Sequence, residues 1–186
     1  MSSDHQTEDP SAPADPPLGD PDLPALIRER GEPLLEGLEA HAPGSRTRAD
    51  ATGAYALATA VGLGFGRSEA ELCRETARLA DVGRIYEPAG AHQEAGAQLA
   101  RGAGVPEIVC EWILGVGEHY DGTGPLGHSG SEIPVFSRII RAAKRCDEFV
   151  REGAEPAELR ALAGTELDPA MVDALASMLE QADASE

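Results

Sequence analysis

The chain has 186 residues, enough for one domain with tails and a substantial core. Its 33 acidic against 15 basic side chains give a formal net charge of −18, which repels phosphate backbones and excludes broad binding to nucleic acid or anionic membranes. No stretch approaches the roughly 20 apolar residues of a membrane span, and the start, MSSDHQTEDP, lacks the basic and apolar runs of a signal peptide.

In chain order, residues 1–22 are rich in proline and aspartate and nearly free of apolar side chains. They are expected to form a disordered acidic leader, because such a segment buries too little surface to offset its chain entropy. Leu23, Leu26, Ile27, Leu34, Leu35 and Leu38 then predict one or two helices, broken near Pro33. Alanine-rich Ala51 to Leu63 predicts a helix closed by the glycines at 62, 64 and 66. Ser68 with Glu71 reads as a capping box opening a helix to about Ala80. Pro106 introduces Ile108, Val109, Trp112 and Ile113. Pro134 introduces the three-four stripe of Phe136, Ile139, Ile140, Ala143 and Cys146. Asp168-Pro169 opens a last helix carrying Met171, Val172, Leu175, Met178 and Leu179. No alternating strand pattern runs beyond a few residues, so the fold class is all-α, a helical domain over 23–180 with a short tail at 181–186. Trp112, Phe136, Ile140 and Leu175 are expected in the core. Cys73, Cys110 and Cys146, odd in number and inside apolar patterns, read as reduced core thiols of a cytoplasmic protein.

Three ordered segments carry a resemblance. Glu118-His119-Tyr120-Asp121-Gly122-Thr123-Gly124-Pro125, with Ile133-Pro134 and Ser137-Arg138-Ile139-Ile140 after it, is similar to the HHExxDGxGYP signature of the HD-GYP family, its I-P turn and its following helix. Leu38-Glu39-Ala40-His41-Ala42-Pro43 resembles the family's L-E-A-H-D-P, and Gly164-Thr165-Glu166-Leu167-Asp168-Pro169 its G-T-Q-x-D-P. The resemblance implies an HD-domain-like helical bundle, descended from metal-dependent phosphodiesterases that act on cyclic di-GMP.

The same resemblance implies lost chemistry. A multinuclear site holds hard cations only where several imidazole and carboxylate donors converge. The positions matching the family's ligands are Arg48, Ala80 with Asp81, His92, Val116 with Gly117, and Lys144, and the tyrosine of G-Y-P is missing between Gly124 and Pro125. Asp81, His92, Glu118 and His119 are therefore vestigial metal candidates. Against this, Asp81 could simply partner a cation, His92 could start a helix at the surface, and His119 could face solvent. Asp121-Gly122-Thr123-Gly124 could offer an anion nest or be a plain tight turn. Lys144, alone or with Arg48, is expected to fill the vacated site and pair with Asp81, because carboxylates left without their metal need compensation. If Lys144 instead faces solvent, that idea fails.

The resulting expectation is a degenerate HD-GYP-like regulatory or protein-interaction module, with no catalytic residue and no cofactor. Its partner would be a signalling protein, and a homo-oligomer is possible. The alternatives are a phosphohydrolase with a reduced iron or manganese site, and a nucleotide sensor without turnover.

Overall fold

A computed structural model describes residues 20–86, 92–153 and 156–183. Its α-helices are α1 (Leu23–His41), α2 (Ser45–Gly62), α3 (Arg67–Arg78), α4 (His92–Gly102), α5 (Glu107–Gly115), α6 (Val135–Glu152), α7 (Pro156–Arg160) and α8 (Pro169–Asp183), with 3₁₀ turns at Val82–Ile85 and Gly130–Glu132. Among the described residues no strand forms, and a lone bridge joins Ala163 to Leu167. The fold is all-α. The leader lies mostly outside the described residues, and α1 begins at Leu23.

Three expectations about helix boundaries need correction. Pro33 does not break α1, which runs unbroken to His41. The proline stands on the exposed face, where solvent can take the carbonyl that loses its amide partner. The start of α3 is set by Gly66 and Glu69 rather than Ser68 and Glu71: the Gly66 amide donates to the Glu69 carboxylate at 2.9 Å. Ser68 instead donates its hydroxyl to the Asp20 carbonyl, and Glu71 pairs with Arg74. Finally α2 starts at Ser45, a turn and a half before the alanine-rich stretch, after Gly44 in the left-handed region at φ 86°.

α2 lies at the centre, packed on α3 and α6, while α4 packs on α5 and on the 3₁₀ turn at Val82–Ile85. Gly53 permits the close α2–α3 contact, since a Cβ there would stand 3.2 Å from the Arg74 carbonyl oxygen. Trp112, Phe136, Ile140 and Leu175 are all buried, as their stripes predict, with Trp112 and Phe136 packed edge to face at 4.7 Å between ring centres. The three cysteines are buried and form no disulfide among the described residues. Burial pushes the Cys73 thiol up and, helped by neighbouring Asp147, the Cys146 thiol up to about 12.

Two buried polar links hold the bundle in register. Glu75, fully buried on α3, accepts from Arg28 of α1 and from Arg78, which also reaches Asp50 of α2. Ser137 on α6 donates to the Trp112 carbonyl at 2.8 Å, and Gly115 leaves room for that hydroxyl. This contact brings the end of α5, with Val116 and Gly117, against the face of α6 that carries Arg141 and Lys144.

Candidate functional site

The site begins where α3 ends. Leu79, Ala80 and Val82 are buried and anchor the chain, so Asp81 is left at the mouth of a cleft lined also by Leu38, Ser45, Arg48 and Glu148. The main chain fixes what faces it. A Cβ on Gly83 would fall 1.8 Å from the His92 carbonyl oxygen and 2.5 Å from the Gly96 nitrogen, so the 3₁₀ turn and α4 touch backbone to backbone. That contact sets the first residue of α4, His92, beside Asp81.

One oxygen of Asp81 collects three partners: Lys144 Nζ at 2.5 Å, Arg84 Nε at 3.0 Å and His92 Nε2 at 3.2 Å. Burial works to raise the Asp81 pKa, but the Lys144 ammonium, the His92 ring and the Arg84 guanidinium outweigh it and hold the carboxyl well below the usual range. The Lys144 side chain is 13% exposed and that of Asp81 32%, so the pair sits at the boundary of solvent. The expected Lys144–Asp81 pair forms, and it forms without Arg48, whose guanidinium bonds the Ser45 hydroxyl at 2.8 Å. Arg48 shares a cleft of about 310 Å³ with Asp81, Arg84, Glu148 and Arg151, but its side chain is held on its own helix. His92 is buried, which corrects the surface reading. Its Nε2 lies 2.8 Å from the Gln93 amide nitrogen, and its buried Nδ1 has no partner among the described residues.

The second pair of candidates is split. Glu118 is buried and turns inward, where its two carboxylate oxygens accept the backbone amides of Leu126 and His128, each at 2.8 Å. His119 points the other way, with Nδ1 2.9 Å from the Thr123 hydroxyl. Asp121 takes both the amide and the hydroxyl of Thr123, so the turn's own carboxylate occupies the N–H that an anion would need. Gly122 supplies φ 85°, and Gly124 packs so closely that a Cβ would stand 2.7 Å from Glu118 Cα. The segment Asp121–Pro125 is thus a self-satisfied tight turn, laid over the Glu118 backbone. The role of Glu118 was not visible in the sequence, since its partners are main-chain amides eight and ten residues onward. Only its neighbour's place in the D-G-T-G turn hinted at it.

The remaining positions complete a basic wall. Val116 and Gly117 offer carbonyls to Arg141 Nη1 at 3.1 and 3.4 Å, and Arg141 Nη2 reaches Glu166 at 2.9 Å. Arg145 shares the same Glu166 oxygen at 3.2 Å and also pairs with Glu148. Burial lowers the Arg141 pKa against the pull of Glu166.

Residues 69–171 match the sequence pattern of the HD domain. The chain belongs to the HD domain family. Its fold is similar to that of a cyclic GMP-AMP-specific phosphodiesterase from V. cholerae, at 21% identity and a TM-score of 0.66 over 85% of this chain and 49% of that one. A HDG"Y"P protein from Bdellovibrio bacteriovorus, Bd1817, gives 17% and 0.64 over 86% and 61% of the two chains. The HD domain of the L. monocytogenes phosphodiesterase PgpH, in complex with cyclic-di-AMP, gives 16% and 0.58 over 81% and 96%. The chain therefore spans less than two thirds of the length of the first two. No curated protein matches. HD domains usually hold divalent metals. Among the described residues no three His, Cys, Asp or Glu side chains gather where they could hold an ion. Asp81 is engaged by cations, and Glu118 by amides. Among the described residues no helix is long and apolar enough to cross a membrane.

Proposed function

We propose that this HD domain is a non-catalytic regulatory or protein-interaction module of a cyclic-dinucleotide signalling system. The observation that carries the reading is the Lys144 ammonium on Asp81, 2.5 Å from the carboxylate at the position of the family's metal-binding aspartate. An ammonium there supplies the positive charge that a metal would otherwise bring, and it does so without an activated water. Of the other ligand positions, Arg48, Ala80, Val116 and Gly117 contribute no donor side chain for a metal, and His92 alone keeps one. The rival is a phosphohydrolase with a reduced iron or manganese site. It would need Asp81, His92, Glu118 and His119 to converge, whereas Glu118 and His119 diverge from one another and neither bonds Asp81 or His92. The implied partner is a signalling protein or a second copy of the chain.

The test is hydrolysis by the purified protein of cyclic di-GMP, cyclic GMP-AMP and cyclic di-AMP with manganese or ferrous iron. No metal-dependent turnover is expected, and Ala80→His or Gly117→His alone should not create any, because several ligands are absent together. Robust turnover by the unmodified chain would refute the reading.

A further inference from the structure

A second cavity adjoins the Lys144–Asp81 pair through His92. This cavity of about 530 Å³ opens between the start of α4, the end of α5 and the turn after Gly124, lined by His92, Gln93, Leu114, Gly117, Pro125, Leu126, Arg141 and, at its exposed rim, Glu94. Its surface is mostly apolar, and Leu126, which lines it, is 46% exposed. Such a pocket, apolar with a few polar groups at one end, is the common form of a small-molecule site.

Two details say what it would hold. Gly117 is what keeps the space open. A Cβ there would already touch Pro125 Cγ at 3.4 Å and Gln93 at 3.5 Å, so any longer side chain must grow into the cavity. Arg141 closes the inner end and also lines the adjoining polar cavity of about 220 Å³ with Arg84, Lys144, Arg145, Glu148 and Glu166. With Asp81 beside them, four cations face three carboxylates in that corner, although the chain as a whole carries a net charge of −18. Arg141 and Arg145 share one Glu166 oxygen, and among the described residues the buried Arg141 Nε has no acceptor. Glu94, which also lines the cavity, is solvent-exposed, so water and salt screen it.

We propose that this pocket binds a compact organic monoanion, with a ring or branched hydrocarbon body against Leu114, Pro125 and Leu126 and its carboxylate, sulfonate or phosphate toward Arg141. The proposal stands on the cavity and does not depend on whether the chain hydrolyses anything.

The probe is 2-naphthoate, titrated into the full chain by calorimetry, with neutral 2-naphthamide and inorganic phosphate as separate arms. Saturable binding of one equivalent is expected, at least about tenfold tighter than either arm, since a charged contact and an apolar contact are each being removed. Arg141→Gln and Gly117→Leu should each weaken naphthoate by about tenfold or more, while Arg160→Gln, the same charge change on the distant Glu180 pair, should not. Leu126→Glu alters an exposed side chain, so it tests the mouth without threatening the fold, and it should weaken binding similarly. Equal affinity for naphthoate and naphthamide, or binding untouched by Arg141→Gln and Leu126→Glu, would overturn the proposal, as would non-saturating uptake at high probe concentration only.

Discussion

The Asp81–Lys144 bond lies between two energetic regimes. A fully exposed pair contributes about 0–1 kcal/mol, and breaking a fully buried one costs about 3–5 kcal/mol. With Lys144 mostly covered and Asp81 a third exposed, the coupling in a Lys144→Ala, Asp81→Ala double-mutant cycle should come out at about 1–2 kcal/mol by urea denaturation. Its pH dependence has a definite sign. The folded-state pKa of Asp81 is depressed, so its contribution is complete above the unfolded value of about 3.9 and is lost as pH falls below it toward the folded value. Asp81→Asn should therefore flatten the acid limb of the stability curve, and an unchanged limb would contradict the assignment. This pair was legible in the sequence because two family positions that share a metal must be neighbours in space. Its exclusion of Arg48 was not, since nothing in the sequence says that Ser45 will take that guanidinium.

At the scale of elements, glycine contacts and one carboxylate do more than helix propensity. Gly124→Ala should destabilise by about 1–3 kcal/mol or more, because the new methyl meets Glu118 backbone rather than a side chain that can turn away. Glu118→Ala should strip the amides of Leu126 and His128 of their acceptor at a cost of about 1–3 kcal/mol each, seen as faster hydrogen exchange confined to 121–130. Normal exchange there would show that the turn holds itself through Asp121 alone. Helices opened by Pro106, Pro134 and Pro169 could be read directly, since each proline immediately precedes or begins its helix. The unbroken α1 and the Gly83–Gly96 contact could not. The first depends on which face of a helix meets water, and the second on a backbone approach between segments that leaves no side-chain pattern.

Across the whole molecule, a net charge of −18 sets the background against which these local pairs act. Self-repulsion should make the domain more stable as salt is added: thermal denaturation should move upward between low salt and physiological ionic strength, before specific pairs such as Lys144–Asp81 are screened. A fall over that range would mean that the ion pairs outweigh the repulsion. The same composition gives Lys144 a practical standing. It is the sole lysine among the 186 residues, and its amine is tied into an ion pair. Amine-directed reagents thus find one ε-amino group, already engaged, and the terminal α-amine. A cross-linker or fluorophore ester added in solution should label the terminus first and Lys144 slowly. The rate of that second reaction, read by mass spectrometry, is a one-site gauge of how often the bond to Asp81 opens.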